Sequence, residues 1–211
     1  MKRATAAAII VVLSIAGSIW AQDGGRPPSP AGESATQVGG RYVTVPGIAD
    51  PQYQGGKWIE ILYSRPIKRS RDLWDSGADY GKRLNFGAPV WRAGADVSTR
   101  LKTDVPLVLN GKAIAAGEYT LFIDLKPNNW TFIVSTWPAQ TRHDPQNKDA
   151  LWGAFNYTPD KDVVRAPMTL STLPFAVDQL TWNFVDMTDT GGKIAIMWDT
   201  NVATAPFRVG T

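Results

Sequence analysis

Tyr119-Thr120-Leu121-Phe122-Ile123-Asp124-Leu125, then Lys126-Pro127-Asn128-Asn129, then Trp130-Thr131-Phe132-Ile133-Val134-Ser135 is the stretch from which the fold is read. Tyr119, Leu121, Ile123 and Leu125 alternate with Thr120 and Asp124. Trp130, Phe132 and Val134 then alternate with Thr131 and Ser135. Period-two alternation sends one face of a strand into a core and the other toward solvent. The Pro-Asn-Asn step between the two runs is turn chemistry. The same rhythm recurs in Ile59, Ile61 and Tyr63 against Glu60 and Leu62, and in Leu180, Trp182 and Phe184 against Thr181 and Asn183. Ile194, Ile196 and Trp198 close the series. Asn110-Gly111, between Val105–Leu109 and Lys112–Ile114, marks a tight hairpin because both residue types tolerate positive φ. Gly191-Gly192 is read as the link between the last two runs. The one helix candidate is the short segment Asp72–Tyr80. These signals predict an all-β domain, a single antiparallel β-sandwich or flattened barrel with two long loops.

Outward from that core, the first 21 residues read as a secretory signal peptide. Lys2 and Arg3 precede an almost wholly apolar run over residues 4–17, and Ala21 is a suitable last residue of a leader. The apolar run falls short of the ~20 residues a membrane span needs. Residues 22–40, rich in Gly, Pro, Ser, Gln and Ala, are expected to be a flexible linker, with the β-sandwich domain over residues 41–211. The predicted location is therefore exported, periplasmic or secreted.

The formal net charge of +3 falls by the charges of Lys2 and Arg3 to +1 once the leader is removed. Such a balance argues against nucleic acid as a partner, and no polybasic membrane anchor remains after signal cleavage. Cysteine is absent, which excludes disulfides, a thiolate nucleophile and cysteine metal ligands. The core must supply the stability instead, and eight of the nine tryptophans lie beyond residue 21.

Two segments break the strand rhythm. Residues 64–96 hold Ser64-Arg65-Pro66, a basic cluster, and Trp91-Arg92-Ala93-Gly94-Ala95-Asp96. Residues 136–161 hold Trp137, His143, Trp152, Tyr157 and Asp160. Long connections on a β scaffold are where binding residues concentrate.

In these segments the chain resembles the bacterial family catalogued as domain of unknown function 2911. The matching motifs are Tyr63-Ser64-Arg65-Pro66, Trp91-Arg92-Ala93-Gly94-Ala95-Asp96 and Ala116-Gly117-Glu118-Tyr119-Thr120-Leu121-Phe122. They continue with Trp130-Thr131-Phe132-Ile133, Trp152-Gly153-Ala154 and Lys161-Asp162-Val163-Val164-Arg165. The likeness covers roughly residues 41–188 and runs on toward 208. It implies an exported, mainly β domain with no established activity. Two departures sit beside the most distinctive motif: Arg83–Pro89 is an additional segment, and Asp96 stands where the resemblance leads one to expect Asn.

The chemistry on offer is limited. His143 is the single histidine beyond which no imidazole is available, so a histidine-rich zinc site is excluded. Its neighbour Asp144 belongs to a Pro-containing loop, and adjacent residues there do not orient each other as a triad requires. Glu60, Asp96, Glu118, Asp124, Asp160 and Asp162 are the carboxylates that a hydrolase would draw on. Asp160-Lys161-Asp162 lacks the rest of a calcium loop and reads as a structural turn. Lys68-Arg69-Ser70-Arg71 reads as a solvated turn. Trp130, Trp182 and Trp198 read as core, and Trp137 and Trp152 as candidates for exposure.

Arg65, Arg71, Arg92 and Arg165 carry two readings. They bind a carboxylate, phosphate or sugar, or they bridge loop carbonyls and a carboxylate such as Asp96 or Asp162. The candidate ligand-binding set is Tyr63, Arg65, Arg71, Trp91, Arg92, Asp96, Trp152, Tyr157 and Arg165. Arg65 and Arg92 are expected to converge near one end of the sandwich, beside Trp91 and Trp152. No catalytic residue, metal or cofactor is assigned. Three function classes stay open: a binding module for a small molecule, glycan or envelope protein; a carboxylate-dependent hydrolase; and a structural envelope protein.

Overall fold

The computed structural model describes residues 27–210. The proposed leader and the start of the linker lie outside the described residues. The strands, in chain order, are β1 (Ala31–Val38), β2 (Arg41–Val43), β3 (Gln52–Gln54), β4 (Lys57–Ser64), β5 (Thr99–Thr103) and β6 (Leu107–Leu109). There follow β7 (Lys112–Ile114), β8 (Gly117–Asp124), β9 (Thr131–Ser135), β10 (Asp162–Pro167), β11 (Thr169–Thr188) and β12 (Gly191–Val209). They form a six-stranded antiparallel sheet, β1-β4-β5-β8-β9-β10, and a four-stranded one, β11-β12-β6-β7, with β2-β3 as a separate hairpin. The architecture is an all-β sandwich that does not close into a barrel.

The alternating residues meet between the sheets. Ile59, Ile61, Leu101, Leu121, Ile123, Phe132 and Val134 of the larger sheet face Leu180, Trp182, Ile194, Ile196 and Phe207 of the smaller, and all are buried. Asn110 and Gly111, at φ 48° and 75°, make the two-residue hairpin that pairs Leu109 with Lys112.

Four sequence expectations are corrected. Residues 31–38 are not linker: β1 pairs with β4 from Ala31↔Ser64 to Val38↔Lys57 and completes the larger sheet. Backbone hydrogen bonds hold this strand, and a composition poor in apolar residues does not report them. Gly32 is required there, since a Cβ would sit 2.4 Å from Arg65 Cδ. Asp72–Tyr80 is not a helix; only a 3-10 turn, Gly77–Asp79, forms within it, and a four-residue helix α1, Lys82–Asn85, follows. Gly191-Gly192 is not the turn itself: Thr188 pairs with Gly191, so Asp189-Thr190 turns and the glycines begin β12.

The fourth correction concerns the outer face of the larger sheet, which is not solvated throughout. Phe122 and Ile133 point away from the main core and are fully buried beneath Val90, Leu151, Ala154 and Tyr157. Residues 136–161 are thus a packed cover over β8 and β9. Thr120 Oγ1 donates to the Trp137 carbonyl at 2.5 Å, and Ser98 Oγ donates to the Gly153 carbonyl at 2.6 Å. The buried Gln140 amide knits the cover internally, donating to the Ala150 carbonyl at 2.8 Å and accepting from the Asp144 N–H at 2.8 Å.

Residues 65–98 leave β4, cross to the smaller sheet and return to β5. Lys68 N–H donates to Asp178 O at 2.6 Å and Leu180 N–H to Pro66 O at 3.0 Å, which ties the outgoing limb to β11. Trp91 exchanges backbone hydrogen bonds of 2.8 Å with Ile123 on the return. Between these anchors the chain folds over a cluster of Trp74, Trp91, Trp130 and Trp198, with Trp91 and Trp198 stacked at 6.0 Å.

Candidate functional site

A cavity of about 580 Å³ opens where this crossing segment passes the end of the smaller sheet. Trp91 and Trp198 form its floor, with only 1% and 3% of their surface exposed. Arg69, Arg71, Arg83 and Arg92 line its walls, with Asp72 and Asp96 as the acidic members. Phe86 stands on the rim with 64% of its surface exposed. The backbone here is strained: Arg69, Asp75, Phe86, Ala93 and Asp96, all between residues 69 and 96, account for five of the ten non-glycine residues at positive φ among the described residues.

The four arginines of the sequence reading separate by what they touch. Arg65 lies outside the cleft and staples the two sheets: Nε donates to the Leu180 carbonyl and Nη2 to Thr181 Oγ1, each at 3.3 Å. Of the two guanidinium groups expected to converge, Arg92 lines the cleft and Arg65 does not. Arg165 sits on the outer face, with Nη1 on Asp162 Oδ2 at 2.8 Å and Nη2 on Asp124 Oδ2 at 3.0 Å. Arg71 lines the cleft, donates to the Lys68 carbonyl at 3.1 Å and the Ile67 carbonyl at 2.5 Å, and holds its guanidinium 5.8 Å from the Trp198 ring centre.

Arg92 is different. Its guanidinium is half-buried, and its one hydrogen bond among the described residues is a 3.4 Å contact from Nη1 to the Asp96 carbonyl. Burial pushes its pKa below the usual guanidinium value, and the Asp96 charge offsets part of that. Phe86 lies 5.4 Å from the same guanidinium. Gly153, at φ +63°, makes room for it: a Cβ there would sit 2.5 Å from Arg92 Nη1. The cover loop therefore bears on the cleft only by leaving room for the Arg92 side chain.

Of the nine candidate residues, the structure brings Arg71, Trp91, Arg92 and Asp96 together. Tyr63 is a core residue at the end of β4. Trp152 is half-buried in the cover, its ring 5.6 Å from that of His143. Tyr157 is buried and donates to Asp162 Oδ2 at 2.5 Å. Desolvation, and then that hydrogen bond and the Asp162 charge, hold its hydroxyl pKa well above the ordinary tyrosine value.

Missed by the sequence reading were Arg69, Arg83, Phe86 and Trp198. The first belongs to the cluster read as a solvated turn, in which Lys68 is tied to Asp199 at 2.7 Å and Arg71 to the Ile67 and Lys68 carbonyls. Arg83 and Phe86 belong to the additional segment Arg83–Pro89, and that departure was the available signal. Trp137, expected to be exposed, is half-buried under Lys161, whose Nζ lies 3.7 Å from its ring centre.

The carboxylates are mostly spent elsewhere. Glu118 pairs with Arg100 at 2.7 Å, Glu60 faces Lys102 at 3.9 Å, and Asp160 accepts from the Thr158 hydroxyl. Asp144 Oδ1 accepts from the Gln146 N–H at 2.9 Å, turning within its own loop. In the cleft, Asp72 Oδ1 accepts from the Trp74 N–H at 3.3 Å. Among the described residues no group of three or more His, Cys, Asp or Glu is placed to hold a metal ion, and no helix is long and apolar enough to cross a membrane.

The profile of a family described as "Protein of unknown function (DUF2911)" matches residues 49–207. The chain belongs to this family. The match takes in the cleft-forming motif Trp91–Asp96 and the Gly153 that accommodates Arg92. It begins after β1, so in this DUF2911 protein the sheet gains an edge strand from residues that precede the matched region. No curated protein and no solved structure matches the chain.

Proposed function

We propose that this DUF2911 protein is an exported binding module without catalytic activity, and that the arginine-lined cleft takes its ligand. The observation that carries this reading is Arg92, a half-buried cation on the wall of an open cavity of about 580 Å³ with almost all of its donors unspent. Cavities of ~300–1,000 Å³ suit small molecules, and a few convergent polar groups over an apolar floor are what such sites present. The cleft pairs that floor, Trp91 and Trp198, with the guanidinium of Arg92.

A hydrolase would need Asp72 and Asp96 to act as a pair, and Asp72 is engaged in capping the Trp74 turn. A structural protein recruiting a partner by strand addition would need a free edge. On one side of the sandwich the edge strand β1 lies against the edge strand β11, and on the other β10 lies beside β7, where Asn110 Nδ2 donates to the Arg165 carbonyl at 3.0 Å. Both observations favour the binding reading.

Two measurements test it. Screening a fragment library against ¹⁵N-labelled exported protein should shift the Trp91 indole and the Arg92 and Gly94 amide signals. Hits confined to other surfaces would refute the site. N-terminal sequencing of protein recovered outside the cytoplasm should find a start at or within a few residues of Gln22. A chain still beginning at Met1 would refute export by leader cleavage.

A further inference from the structure

The ligand class follows from which donors in the cleft are spent. Arg83 is committed to Asp75, with Nη2 at 2.8 Å from Oδ1. Arg71 spends Nε and Nη2 on backbone carbonyls but leaves Nη1 without a partner among the described residues. Arg69 holds its backbone N–H on Asp178 Oδ1 at 3.1 Å, while its guanidinium has no hydrogen-bond partner among the described residues. Arg92 contributes one long contact. Three guanidinium groups thus line one cavity with unused donors.

We propose, resting on the cleft being the binding site, that the ligand carries an oxyanion, a carboxylate or phosphate, attached to a flat apolar body. Arg92, assisted by Arg69 and Arg71, receives the oxyanion. A guanidinium fork matches the paired oxygens of such groups, and a half-buried one holds them more strongly than one in bulk water. Phe86 receives the apolar body. Its ring is already positioned 5.4 Å from the Arg92 guanidinium, its backbone is fixed at φ 49°, and its outer face is open. The flat group extends the stack that Arg92 and Phe86 begin.

Asp96 is the control built into the site. It lines the same cleft, and its charge acts on Arg92. Against an anion it is a repulsive neighbour, so its neutral isostere should improve binding. A neutral ligand has no such dependence.

The test uses benzoate, phenyl phosphate and inorganic phosphate, with benzyl alcohol as the neutral probe, followed by calorimetry and by the Trp91 and Arg92 signals in ¹⁵N spectra. The aromatic anions are expected to bind at least tenfold more tightly than benzyl alcohol and more tightly than inorganic phosphate, and binding should weaken with added salt. Benzoate preferred over phenyl phosphate assigns a carboxylate, and the reverse order a phosphate. Asp96→Asn should tighten anion binding severalfold, Arg92→Ala should weaken it at least tenfold, and Phe86→Ala should erase the advantage over inorganic phosphate. The oxyanion assignment is overturned if benzyl alcohol binds as well as the anions, or if Asp96→Asn and salt leave anion binding unchanged. If only neutral probes shift the cleft signals, this inference falls while the cleft remains the site. If neither these probes nor the fragment library moves them, both fall.

Discussion

Replacing Arg65 and Arg92 in turn by alanine separates a structural guanidinium from one held ready for a ligand. Arg65→Ala removes two hydrogen bonds between β4 and β11, each of 3.3 Å. Hydrogen bonds from a charged donor contribute ~1.5–3 kcal/mol each, and lengths beyond the usual ~2.9–3.0 Å place these at the weak end. The arginine stem also packs over Gly32 and is lost with the head group. The backbone anchors survive, since Arg65 N–H still donates to Pro30 O at 2.8 Å and its carbonyl still accepts from Gln179. The expected loss is therefore about 2–3 kcal/mol.

Arg92→Ala removes one 3.4 Å contact and the approach to the Phe86 ring, together on the order of 1 kcal/mol. Burial already disfavours the charged guanidinium, so its removal returns part of that cost. The net change should lie within about 1 kcal/mol of zero. Urea denaturation followed by tryptophan fluorescence measures both, with unchanged slopes showing that two-state behaviour is kept. A loss of ~3 kcal/mol or more for Arg92→Ala would mark a buried bridge whose partner is left unpaired and would retire the binding site. An Arg65→Ala variant as stable as wild type would refute the inter-sheet staple.

Three further outcomes are expected. The Tyr157 hydroxyl has its folded pKa raised above the unfolded value near 10.0, so its contribution to stability is fully present below that pH and is lost as pH rises beyond it; Tyr157→Phe should lower stability at neutral pH by ~1 kcal/mol and flatten the alkaline slope, and an unchanged slope in alkaline urea titrations would contradict the assignment. Phe122→Ala should cost ~3–5 kcal/mol and speed proteolysis between residues 136 and 161, since that ring anchors the cover, whereas a near-neutral change would mean that the loop is held elsewhere. Melting temperature should be indifferent to EDTA and to reductant, the chain having no cysteine; a large drop with EDTA would expose a metal site.

The sandwich was legible because side-chain parity along a strand is a local property. Ile59-Ile61-Tyr63 and Trp130-Phe132-Val134 needed no knowledge of their partners to be assigned an inner face. The edge strand β1 was not legible, because its place depends on a partner's free backbone groups and its own side chains bury little. The cover over β8 and β9 had left a trace in the sequence. Phe122-Ile123 and Ile133-Val134 are apolar at both parities, which a strand with one wet face does not need. At the cleft, the contiguous motif Trp91–Asp96 delivered three of the candidate residues together because a short segment cannot scatter them far. Arg65, just past the end of β4, and Arg165, within β10, were lost to the site for the same reason that made them conspicuous: a long donor on a sheet finds carbonyls and carboxylates within reach.

What distinguishes Arg92 from those two is the supply of acceptors rather than anything in its own side chain. Arg65 emerges at a gap between sheets where the Leu180 carbonyl and Thr181 hydroxyl are within reach. Around Arg92 the corresponding groups are taken. The Ala93 carbonyl accepts from Thr99 Oγ1 at 3.1 Å and from Trp182 Nε1 at 2.9 Å. The Gly153 carbonyl accepts from Ser98 Oγ at 2.6 Å and the Leu151 carbonyl from the Gln140 N–H at 2.9 Å. Asp72 caps its own turn and Asp75 holds Arg83, leaving, among the described residues, the long contact to Asp96 O. Ser98, Thr99 and Trp182 are buried, so these commitments are fixed by the core and do not depend on the cleft being filled. The fold thus confines a cation beside a cavity and assigns its neighbouring acceptors to other donors. An anion entering from solvent meets donors that need not break strong internal hydrogen bonds to receive it, which is the physical content of a site organised before its ligand arrives.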